Sequence, residues 1–131
     1  MKKTLSTDDL VAAFEAGTLN KEQWDHTAHL RIALHTIYGE KSLPRSISKI
    51  RTGIIRYNCV QPRNLCSERY NETATIFWVQ EVFAFAESKF DAPYEKLEDE
   101  LLSSVLANPR HIYDYYTKDE LTSDEYKALY H

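Results

Sequence analysis

A chain of 131 residues, 43% apolar and 27% charged, has enough apolar material for one globular core and lacks the composition of a disordered segment. Its 3 glycines and 4 prolines are too few for a fold of many short strands joined by tight turns. A formal net charge of -4, from 16 basic against 20 acidic residues, argues against nucleic-acid binding, which needs a basic surface to displace counterions.

No apolar run approaches the length of a bilayer span. The first residues, MKKTLSTDDL, carry two lysines without an apolar stretch after them, so they do not read as a secretory signal. The expectation is a soluble, cytoplasmic protein whose two cysteines, Cys59 and Cys66, are reduced thiols. Their spacing fits no common zinc pattern.

The periodicity predicts an all-α protein, an irregular bundle of five to seven helices in a single domain over residues 1–131. The first helix spans about 7–16, with Ser6 as cap, Asp9 in its first turn and Gly17 as terminator. The second runs from about 21 to 38 between Asn20 and Gly39, with Leu30, Ala33, Leu34 and Ile37 on one face. His26 shares that face and His29 lies at its margin. A third helix begins near Pro44 and carries the stripe Ile47, Ile50, Ile54 and Tyr57. Its outward face holds Arg45, Lys49, Arg51 and Arg56. Residues 58–69 read as a long loop containing both cysteines.

The fourth helix, about 71–89, is apolar around most of its circumference and therefore central. A fifth follows Pro93, with Leu97, Leu101 and Val105 on one side, and ends at Asn108-Pro109. A short segment at 111–116 and a last helix over about 119–130 complete the chain. Nine tyrosines, five of them after residue 112, read as packing residues of the C-terminal helices.

Three polar residues fall where apolar ones belong. His26 and His29 are three apart, so their side chains are neighbours on a helix. Glu72 shares a wheel position with Ile76, Val79 and Phe83, and a carboxylate on a core face must be paired, metal-bound or protonated. Two imidazoles and a carboxylate form a recurring ligand set for a divalent transition metal, and equally an acid/base set for proton transfer. Asp25 or Tyr70 would then support the ligands through hydrogen bonds. Tyr70, Arg31 and Thr73 are candidates for orienting a small polar ligand. The plainer reading of Glu72 is a residue at the first turn of its helix, favouring the dipole and projecting towards solvent. The plainer reading of the arginines of helix three, with Arg63 and Arg69, is a solvated helix face rather than an anion site.

These segments resemble an uncharacterised group of small bacterial all-helical proteins. The resemblance runs through Trp24, His26, His29, Leu30 and Arg31, then Tyr70, Glu72 and Thr73, then Tyr115, Tyr116 and Thr117. It implies an all-helical fold and places His26, His29 and Glu72 in one site, and it supplies no activity. The group's second motif has a histidine where this chain has Asn71, and an amide is a poor ligand for zinc-like metals.

Two classes of function follow. In one, His26, His29 and Glu72 form a buried polar site for a metal ion or a small polar molecule, with or without catalysis. In the other, the same residues form a structural hydrogen-bond network in an interaction or regulatory module. A homodimer is compatible with either, since small helical domains often associate.

Overall fold

The computed structural model describes residues 5–60 and 70–131. Among them there is no strand, and the helices form one all-α bundle. Helix α1 is Thr7–Ala16, α2 His26–Glu40, α3 Leu43–Val60, α4 Glu72–Ala86 and α5 Tyr94–Leu102. Two short helices, α6 (Lys118–Thr122) and α7 (Asp124–Ala128), follow a pair of 3₁₀ segments at Val105–Ala107 and Pro109–Asp114. No helix among the described residues is long and apolar enough to cross a membrane.

Local chemistry explains most boundaries. Ser6 caps α1 by accepting from the Asp9 amide, and Gly17 ends it in the left-handed region at φ 73. The expected second helix is two elements. Lys21–Gln23 is a 3₁₀ turn, the backbone breaks at Trp24, and Asp25 caps α2 by accepting from the Ala28 amide at 2.9 Å. The histidine pair therefore sits in the first turn of α2 rather than mid-helix. At the other end α2 runs through Gly39 and stops at Lys41, which takes a left-handed φ of 54.

Three further expectations change. Helix α3 continues to Val60, past the start of the expected loop; residues 61–69, with Arg63, Cys66 and Arg69, lie outside the described residues. Cys59 is disulfide-bonded, which corrects its reading as a reduced thiol. Helix α5 stops at Leu102, and the expected last helix is split at Ser123, whose side chain caps α7.

Two helices share the centre. Helix α2 buries Ala28 and Ile32 with Leu10, Phe14, Leu19 and Tyr57 of the α1–α3 side. Its other face buries Leu30, Ala33, Leu34 and Ile37 with Ile50, Val79, Val82, Leu97 and Leu101. Helix α4 has the same double duty. Val79, Val82 and Ala86 join that second cluster, while Phe77 packs with Ile112 and Leu121 of the C-terminal segment. An all-round apolar helix is what two such interfaces demand. Close approach of α1 to α3 depends on Gly53, where a Cβ would stand 2.8 Å from the Phe14 ring.

The C-terminal segment is tied down by polar groups of α4. Thr73 is fully buried; its hydroxyl hydrogen is shared between Tyr126 O (2.6 Å) and Leu129 O (2.9 Å), and its oxygen accepts from the His131 amide. Thr73 is thus a structural latch, not a group that orients a ligand. Thr73→Val keeps the shape and removes all of these partners, so a loss of about 1–3 kcal/mol is expected. Urea unfolding followed by circular dichroism measures it. The C-terminal tyrosines divide: Tyr113, Tyr115 and Tyr130 are exposed, against the expectation that all five pack, while Tyr116 packs on the Phe77 cluster.

Candidate functional site

A cavity of about 470 Å³ opens between the first turns of α2 and α4, the second half of α3, and Pro109. Its walls are largely apolar: Ala33, Ile50, Ile54, Ala74 and Val79, with the indoles of Trp24 and Trp78. The polar lining comes from Asp25, His26, His29, Asn58, Asn71 and Thr75. Size and character match those of small-molecule sites, mostly apolar with a few placed polar groups.

The two histidines do meet in this cavity, and each is oriented by a backbone carbonyl. His29 Nδ1–H donates to Asp25 O at 2.6 Å, and His26 Nε2–H donates to Leu106 O at 2.8 Å. A carbonyl only accepts, so these bonds fix the tautomers. The His29 ring, held neutral, is left with one lone pair, on Nε2. The His29 ring stacks on Trp24 with centroids 3.6 Å apart, and Trp24 in turn stacks on Phe14. His26 meets Trp78 edge-on at 4.5 Å. Burial lowers the His29 imidazole from 6.5 to about 4; the Asp25 carbonyl opposes that shift without overcoming it, and His26 adds to it. At neutral pH His29 is uncharged and acts as an acceptor.

Glu72 is engaged elsewhere. Arg51 Nε donates to its Oε1 at 2.9 Å and Arg51 Nη2 to its Oε2 at 2.6 Å, a two-point ion pair between α3 and α4. The Tyr70 hydroxyl also donates to Oε1. Burial pushes the Glu72 carboxyl upward, but Arg51 and Tyr70 outweigh it and the net shift is down. Burial and the neighbouring carboxylate push Tyr70 up to about 12. Glu72 is half-buried, and no charged side chain among the described residues is fully buried. Its place in the first turn of α4 puts it at the helix end, where the wheel position no longer means the core.

The expected ligand set is therefore divided. Among the described residues, no three His, Cys, Asp or Glu side chains stand close enough to hold a metal ion. The two imidazoles alone fall short of the three protein ligands of a catalytic zinc site, and Glu72, committed to Arg51, does not complete them. Asn71, at the position of the group's histidine, caps α4 through Ala74 N and donates to Leu121 O.

Arg31 is also diverted. It donates to Glu98 Oε1 at 3.2 Å, to Leu5 O and to Thr7 Oγ1. Tyr94 and Thr7 both donate to the same Glu98 oxygen, and the four residues tie α1, α2 and α5 together. Burial, reinforced by the Glu98 charge, raises the Tyr94 phenol well above its ordinary value. Of the basic face on α3, Arg45, Lys49 and Arg56 are exposed, as a solvated face requires.

Asn58 and Trp78 were missed. Asn58 lies one turn beyond Ile54 and two beyond Ile50, so it continues the apolar stripe of α3 and is 9% exposed. The signal was present: a carboxamide in register with isoleucines. It was hidden by ending the helix at Tyr57. No protein family matches the chain, and no curated protein or solved structure matches it, so its chemistry is read from this cavity alone.

Proposed function

We propose that the cavity between α2, α3 and α4 binds a small, largely apolar molecule carrying a hydrogen-bond donor. One observation carries this reading. His29 spends its single N–H on the Asp25 carbonyl and keeps an acceptor nitrogen, on a cavity lined by two tryptophans. A neutral imidazole held this way recognises a donor, and at neutral pH it has no proton to give. The chemistry supports recognition more directly than acid catalysis.

A fragment screen by ligand-observed NMR tests it, run on the wild type and on His29→Phe. Phenylalanine keeps the stack on Trp24 and removes the acceptor. Donor-bearing fragments are expected to bind the wild type and to lose about tenfold or more in affinity with the variant, the worth of one good hydrogen bond. Hits that bind both proteins equally would sink the reading.

A second reading has its own support. The His26–Leu106 bond joins positions 80 apart in sequence and fixes the 3₁₀ segment against α2. In that case the histidines are structural, and the screen finds no ligand for either protein.

A further inference from the structure

We infer that the cavity takes a neutral, flat heteroaromatic ligand whose edge presents a donor beside an acceptor, as the edge of a nucleobase does. The inference rests on the reading of the cavity as a ligand site and adds the class of ligand.

Asn58 is the first ground. It is one of few buried polar residues among those described, it lines the cavity, and its carboxamide makes no hydrogen bond to any described residue. A carboxamide offers a coplanar donor and acceptor, and its two-point complement is an acceptor–donor edge such as the ring nitrogen and amino group of adenine. His29 Nε2, on the part of the lining that α2 supplies, then accepts from a further donor of the ligand.

Charge is the second ground. No lysine or arginine is among the described lining residues, so an anion finds no side-chain counter-charge there, and the neutral His29 presents a lone pair to it. An organic cation fares no better. The first turns of α2 and α4 line the cavity, each capped by its own side chain, Asp25 or Asn71, and neither supplies a cation with a counter-charge. Asp25 is the carboxylate on the described lining, and its Oδ1 already accepts from the Ala28 amide. A neutral ligand avoids both penalties. An aromatic ring suits the walls: Trp24, stacked between Phe14 and His29, adds an indole edge to the lining, and Trp78, Ile50 and Ile54 complete an apolar surround.

Both tryptophans of the chain line the cavity, so intrinsic fluorescence reports its occupancy directly. The full chain is titrated with adenine, benzoate and benzamidinium: one neutral, one anionic and one cationic flat ring. Saturable quenching by adenine is expected, with the two charged rings binding about tenfold more weakly or worse. Asn58→Leu, close in shape and without the carboxamide, is expected to stay folded by circular dichroism and to weaken adenine by about tenfold or more. Tighter binding of benzoate or benzamidinium, or an adenine affinity unmoved by Asn58→Leu, would overturn the inference. Failure of adenine while donor-bearing fragments still bind through His29 would reject the ligand class and leave the ligand site standing. Failure of every probe and every fragment would remove the site itself.

Discussion

Acidification from pH 7 to about pH 4 is expected to weaken the fold through His29 alone by up to about 3 kcal/mol. The sign follows from linkage. In the unfolded chain the imidazole binds a proton near 6.5; in the folded protein burial delays this to about 4. Between those values the unfolded state carries the extra proton, so falling pH favours unfolding. The contribution is fully present above about 6.5, declines through the window and is gone below about 4. A shift of that size is worth about 3 kcal/mol at roughly 1.4 kcal/mol per pH unit, as a ceiling. The upper part of the window precedes carboxylate titration. Glu72, held below 4.5 because Arg51 and Tyr70 outweigh its burial, contributes only at lower pH, where its ion pair is lost. Urea midpoints at half-unit intervals from pH 7 to pH 4 measure the slope. His29→Phe should flatten it, because the phenyl ring does not titrate. Parallel profiles for the two proteins would show that His29 is not held neutral by burial.

Leu34→Ala should have the largest effect of any single change in the core. Leu34 is 0% exposed and lies where α2 meets α3, α4 and α5. Truncation removes the transfer free energy of its methyl groups and leaves a void. Surrounding residues Val82, Leu101 and Ile37 are themselves fully buried and have little freedom to collapse into it. The expected loss is about 2–5 kcal/mol. Against a total stability of roughly 5–15 kcal/mol for a domain, this is a large fraction. Urea unfolding by circular dichroism at pH 7 gives the value. A loss under about 1 kcal/mol would mean that α2 is not the hub its packing indicates.

The helical fold was legible because its signals are local and redundant. In α1, the Ser6 cap, the apolar pair Leu10 and Phe14 and the terminator Gly17 all agree, and the observed helix has the expected bounds. The break before α2 was not legible in the same way. Asn20 and Asp25 are both good caps five residues apart, and only the packing of Trp24 between Phe14 and His29 selects the second. Boundaries at the chain's end failed for a related reason. Ser123 reads as an ordinary surface residue until its hydroxyl is seen capping α7.

The candidate site was half legible. Histidine spacing put His26 and His29 together, and they do share a wall. Glu72 obeyed the same wheel and went elsewhere, because a helix wheel carries no information about a facing helix. Arg51 sits on the margin of α3 with 36% of its side chain exposed, close enough to capture the carboxylate with two bonds. Arg31 was drawn away likewise, by Glu98 from α5. Partner choice across 21 or 67 residues of sequence is tertiary information.

The two histidines are held by opposite ring nitrogens, His29 by Nδ1 and His26 by Nε2. Identical residue types three positions apart thus leave different atoms unbonded, the far nitrogen of the His29 ring and the near nitrogen of the His26 ring. Two backbone carbonyls, one within the same turn and one 80 positions away, thereby give a single residue type two different presentations on one stretch of helix.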